Sequence, residues 1–185
     1  MSYLRTFAPW VVYALVPDRF WQWGALAALV LSLVEIARRT RAGHRLDALI
    51  LDAGTALFFV ALTVLAFAVP NSPLHAYGAA ASNGVLALIA GVSIAVRVPF
   101  TLGIAKQTTP REIWDHPIFL RMNYLITAVW TASFALGALA LVLLAHSGAA
   151  LRIPTQVAAF AIPMIFTIRY VAHMQAKGRA AGHAL

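Results

Sequence analysis

The side chains in this 185-residue chain that could do chemistry are few and dispersed. There is no cysteine, which excludes disulfides, thiolate metal sites and cysteine nucleophiles. Six histidines, His44, His75, His116, His146, His173 and His183, show no metal-ligand spacing, so no metal ion is expected. The chain has no glycine-rich phosphate loop, no Gly-x-Ser-x-Gly elbow and no helical histidine pair with its glutamate. Neither a cofactor nor a catalytic residue is therefore expected.

Two constellations remain. Glu35, Asp52, Arg97 and Arg169 all sit near the ends of long apolar runs. They either reach individually toward water or form an interfacial charge cluster in which Glu35 or Asp52 pairs with Arg97 or Arg169. The second set is Arg97, Lys106, Arg111, Trp114 and Asn123, in and just beyond the segment 97–121. Cations interleaved with an aromatic ring suit a partner protein or anionic lipid head groups, and the simpler alternative is a membrane-surface anchor. A membrane-embedded enzyme acting on lipids would have to draw its chemistry from Glu35, Asp52, Asp115 or His116.

The elements that position these groups follow from composition. Hydrophobic residues make up 62% of the chain and charged residues only 11%, against about a quarter charged in an ordinary soluble domain. Between Asp52 and Arg97 lie 44 residues with no formal charge, interrupted by Pro70, Asn71, Ser72 and Pro73. Proline lacks a donor and disfavours helix in the residue before it, so this interval divides into two spanning helices and a turn. The same reasoning yields five spans, at about residues 20–37, 48–69, 76–96, 122–145 and 153–171, in one all-α polytopic membrane bundle.

Residues 7–16 are apolar but too few to cross, and with Pro9, Trp10 and Pro17 they read as a short interfacial or re-entrant helix. They are followed by Pro17, Asp18 and Arg19 rather than by small residues, which argues against a cleaved signal peptide. Trp21 and Trp23 at the start of the first span suit an aromatic belt.

Of the 14 lysines and arginines, 11 fall in three places: residues 38–47, residues 97–121 and the C-terminal end. These alternate with nearly uncharged connections, so the positive-inside rule puts them, and the C-terminus, in the cytoplasm. The net charge of +8 is thus mainly a topology signal, and anionic lipid, not nucleic acid, is the natural partner for its remainder.

Polarity inside the spans is limited to hydroxyls, Thr55, Thr63, Ser93, Thr127, Thr131, Ser133 and Thr167, which can bond their own helix carbonyls. Small residues four apart, Ala80 with Gly84, Ala87 with Gly91 and Ser133 with Gly137, are candidates for close helix approach. The segment 97–121 is longer than a connector needs. Thr108 or Thr109, then Pro110, Arg111 and Glu112, look like a helix start, with Ile113, Trp114, Ile118 and Phe119 as the apolar face of a short interfacial helix. From Phe119 a stripe continues at helical spacing through Asn123, Thr127 and Trp130.

The layout resembles the intracellular septation protein A family of bacterial inner-membrane proteins. The resemblance rests on Phe7 to Pro9, the arginine-rich first loop, the proline-containing segment with Lys106, the spacing of Trp114 to Asn123, and Trp130 in the next span. It implies a multi-pass inner-membrane protein of envelope maintenance or septation, working through contacts with division or envelope proteins and having no established catalytic residues. A homo-oligomeric small transporter or channel subunit is the second reading, and the lipid-acting enzyme the third.

Overall fold

A computed structural model describes residues 2–43 and 49–180; expectations on His44, Arg45, Ala48 and His183 lie outside the described residues. The described chain is helical: α1 (Ser2–Leu15), α2 (Trp21–Arg41), α3 (Ile50–Ala68), α4 (Gly78–Ala95), α5 (Phe100–Ala105), α6 (Pro117–Leu143) and α7 (Ala149–Ala180). Four stretches are long and apolar enough to cross a membrane, Leu51–Ala68, Pro73–Ala95, Pro117–Leu143 and Ala149–Arg179. Large apolar side chains such as Leu57, Leu136, Leu143 and Ile168 are more than half exposed along them. So much exposed apolar surface marks a protein that meets lipid rather than water.

The remaining expected span, residues 20–37, coincides with α2, which is not among these four. Its length is sufficient, but Trp21, Gln22 and Trp23 open it and Glu35, Arg38, Arg39 and Arg41 close it. The stretch between, residues 24–34, covers about 16 Å at 1.5 Å per residue, roughly half the hydrocarbon thickness.

Helices neighbouring in sequence pack together, α1 on α2, α2 on α3, α3 on α4 and α6 on α7, while α4 also lies along α6. Helix α1 packs one face into the bundle. Its Phe7 is fully buried and stacks on Trp130 of α6 at 5.1 Å between centroids, with Phe160 of α7 edge-on at 4.8 Å. Its Trp10 stacks on Phe58 of α3, and Tyr13 meets Phe59. Each such aromatic pair is worth about 0.5–1.5 kcal/mol beyond area burial. In lipid, where apolar helices gain little by hiding from one another, these contacts carry much of the association.

Close approach and polar pairing act together where α6 crosses α7. Pro163 has no N–H, so the Ala159 carbonyl one turn earlier loses its helical donor. Ser133 of α6 supplies the replacement, Oγ to Ala159 O at 2.9 Å. Gly137 makes the approach possible, because a Cβ there would lie 2.6 Å from Ala159 Cβ and 3.1 Å from Asn83 Oδ1. The other expected small pairs behave differently: a Cβ on Gly91 would make ordinary contact with Thr131, and one on Gly84 would meet nothing. At the end of the bundle opposite the basic segments, Tyr77 Oη and His146 Nε2 are 3.2 Å apart, joining the two short connections.

Segment 97–121 departs from the expected short helix for reasons of backbone geometry. Helix α4 ends with Arg97 in the left-handed region, φ 62°, and Val98 N–H bonding back to Ser93 O at 2.9 Å. Pro99 then opens α5, whose Phe100, Thr101, Leu102 and Ile104 are buried. Arg111–Ile113 form only one 3-10 turn. A helix begun there cannot continue, because Pro117 holds His116 extended at ψ 130°. Pro117 is instead the first residue of α6, and His116 Nδ1 accepts from Ile118 N–H at 3.3 Å as its cap. Helix α6 therefore starts at Pro117 rather than at 122, taking Ile118 and Phe119 with it.

Candidate functional site at the basic end

The charge cluster forms around a cation that the candidate set omitted. Arg39 Nε lies 3.0 Å from Glu35 Oε1, one turn away on α2, and Arg39 Nη1 lies 3.0 Å from Asp52 Oδ2 on α3. Arg39 and Asp52 are both buried and Glu35 is half-buried. Arg97 and Arg169 are exposed on α4's end and on α7, and no ion pair joins either of them to Glu35 or Asp52 among the described residues. The arrangement is a structural clamp at the end of the α2–α3 hairpin, since Arg39 ties a carboxylate of its own helix to one on α3. The i to i+4 spacing of Glu35 and Arg39 was the available signal in the sequence.

Of the second set, three residues come together. Trp114 is held by its indole N–H, which donates to Thr109 O at 3.0 Å. The Lys106 ammonium lies 5.1 Å from its ring centroid and the Arg111 guanidinium carbon 5.6 Å, so two cations share one aromatic platform. Arg111 is exposed; Lys106 and Trp114 are half-buried.

Asn123 is not on this platform. It is 3% exposed, its side-chain amide donates to Phe119 O at 2.9 Å, and its backbone carbonyl accepts from Thr101 Oγ1 at 3.0 Å. Thr101 and Thr127 hydroxyls are 2.7 Å apart, so Asn123 and Thr127 pin buried α5 to α6. The expected stripe is nonetheless the buried face of α6: Phe119, Asn123, Ile126, Thr127, Trp130 and Phe134 all point inward.

Beside the platform, between segment 104–113, α6 and α7, lies a cavity of about 490 Å³. Ile104, Ile113, Met122, Ile126 and Val171 give it apolar walls, and Thr108, Thr109, Asn123, Thr167 and Gln175 add hydroxyl and amide groups. That volume falls within the range of small-molecule sites. Neither Asp115 nor His116 lines it. Sequence reasoning missed the cavity because its walls come from three separate segments, one of them the unexpected α5 end.

The arrangement can hold an anion beside an apolar recess. Compared with protein families, curated proteins and solved structures, the chain matches none of them.

Proposed function

We infer that this is a multi-pass protein of the bacterial inner membrane with a structural and interaction role in envelope maintenance or septation. In this reading α2 is a fifth crossing, antiparallel to α3, its 21 residues reaching across with the terminal tryptophans and arginines at the two interfaces. Helix α1, about 21 Å long, enters the bundle without crossing it. The C-terminus is cytoplasmic, with the basic end.

The observation that carries the reading is the filled interior. Phe7, Trp130, Phe134 and Phe160 pack ring against ring in the centre, Trp10 and Phe59 beside them. Among the described residues, the buried charged side chains are Arg39 and Asp52, paired near one end. Transport requires sites that hold ions or polar solutes at depth, and where α1 meets α3, α6 and α7 those positions are taken by aromatic carbon. The layout resemblance to the septation protein A family points the same way.

Two experiments test it. Reporter fusions at His75 and His146 should report outside and fusions at His44, Lys106 and Lys177 inside; the opposite pattern overturns the topology. Photocrosslinkers placed at exposed positions of the basic end, with products identified in cells, should recover division or envelope proteins or a second copy of this chain. Solute or ion flux through vesicles carrying the purified protein, above that of empty vesicles, would favour a pore instead.

A further inference from the structure

We propose that the cavity between segment 104–113, α6 and α7 is a binding site for one anionic phospholipid, its acyl chain in the recess and its phosphate against Lys106 and Arg111. The proposal rests on membrane residence alone and is independent of any role in septation.

Three observations carry it. The recess has the right walls: Ile104, Ile113, Met122, Ile126 and Val171 present hydrocarbon, as an acyl chain requires. It also runs in the right direction, since its α7 lining extends from Thr167 to Gln175, about 12 Å along the helix at 1.5 Å per residue. A chain lying in it therefore follows the bundle axis, from the level of the Trp130 indole toward the basic end. The charge is complementary at the end where a head group would sit. Ala105 and Pro110 line the cavity, and the next residue after each is a cation, Lys106 and Arg111.

Those cations are also held in place. Both lie over the Trp114 ring, itself fixed by its bond to Thr109 O, and Thr109 is a lining residue. Segment 97–121 remains basic after Glu112 and Asp115 are counted, and the adjoining end of α7 adds Lys177 and Arg179 without an acid. Thr109 offers a hydroxyl donor to a phosphate or its ester oxygens.

The test uses the full chain purified in a non-ionic detergent, with lipids added one at a time and bound species read by native mass spectrometry. Phosphatidylglycerol should be retained as a single molecule about 10- to 30-fold better than phosphatidylcholine of the same chains, since each surface cation contributes roughly fivefold toward an anionic lipid. Lys106→Gln with Arg111→Gln should abolish that preference, while Lys106→Arg with Arg111→Lys should keep it. Ala172→Trp, which fills the cavity from α7, should lose the bound lipid of either class while leaving the melting temperature within a few degrees. Soluble glycerol phosphate should not displace the lipid. Equal retention of the two lipids, an unchanged preference in the glutamine pair, retention by Ala172→Trp, or displacement by glycerol phosphate overturns the proposal. Retention of a peptide in place of lipid would do the same.

Discussion

Replacing Arg39 with leucine should be among the most damaging single changes at the basic end. Arg39 meets Glu35 and Asp52, each at 3.0 Å, but the two contacts differ in weight. The Glu35 side chain keeps 18% of its surface, and a partly solvated i, i+4 pair within one helix contributes about 0.3–0.5 kcal/mol. Asp52 keeps 4% and belongs to another helix, so removing Arg39 breaks a buried ion pair between two helices, a change that costs up to about 3–5 kcal/mol.

The expected order of loss is Arg39→Leu, then Asp52→Asn, then Glu35→Gln. Because replacing a buried pair with apolar groups is often neutral, Arg39→Leu with Asp52→Leu should recover most of the loss. Reversible unfolding in mixed detergent micelles, followed by circular dichroism, measures these four variants together with the single Asp52→Leu that completes the cycle. Raising the ionic strength should leave the wild-type value nearly unchanged, since burial shields the pair from screening. A double variant no more stable than the sum of its parts, or an Arg39→Leu loss below about 1 kcal/mol, would falsify the clamp reading.

Gly137→Ala should destabilise by about 1–2 kcal/mol despite alanine's better helix propensity, because its methyl overlaps Ala159 and crowds Asn83; adding Ala159→Gly should relieve it in the same unfolding assay. Thr167→Val should cost about 1–3 kcal/mol by leaving the Trp130 indole N–H without its 3.0 Å acceptor, and Thr167→Ser should restore most of it; equal losses in both would point to packing instead. Arg97→Gly should raise stability by up to about 1 kcal/mol, since glycine tolerates φ 62°, and a measured decrease would show that the arginine side chain makes a compensating contact.

What the sequence disclosed and what it hid separate by the length over which the signal accumulates. A charge-free run of 44 residues broken by Pro-Asn-Ser-Pro has few physical solutions, and α3 and α4 appear where that run requires. The stripe from Phe119 to Trp130 was legible because a 3.6-residue period repeated over three turns selects one helix face. Short elements carry no such repetition. The apolar residues 7–16 look alike whether a helix lies on a membrane or among other helices, and only the partners Trp130 and Phe59, far along the chain, choose between them. Similarly, Arg38, Arg39 and Arg41 are equivalent as topology charges. The position of Asp52 on α3 singles out Arg39. At segment 97–121 two prolines compete as helix starts, and Pro117 prevails over Pro110 because it holds His116 extended.

The hydroxyls within the spans take on a specific meaning once the tryptophans are located. An indole N–H in a bundle centre has no water to bond, and leaving it unpaired costs free energy. Trp10 donates to Thr55 Oγ1 at 3.1 Å, and Thr55 in turn donates to Leu51 O at 2.7 Å. Trp130 repeats the arrangement on another helix, donating to Thr167 Oγ1, which donates to Pro163 O at 2.7 Å. In each case threonine is the necessary intermediary: its hydroxyl discharges its own proton onto its helix backbone and keeps a lone pair for the indole. A valine has the shape without the lone pair, and a carboxylate has the lone pairs but brings a charge. Two large aromatic residues can therefore sit in the interior with their single polar atoms satisfied, without introducing a buried ion. The same residues that fill the space a conduction path would need are thereby fixed in orientation, which ties the hydroxyl pattern of the spans to the packed interior on which the structural role rests.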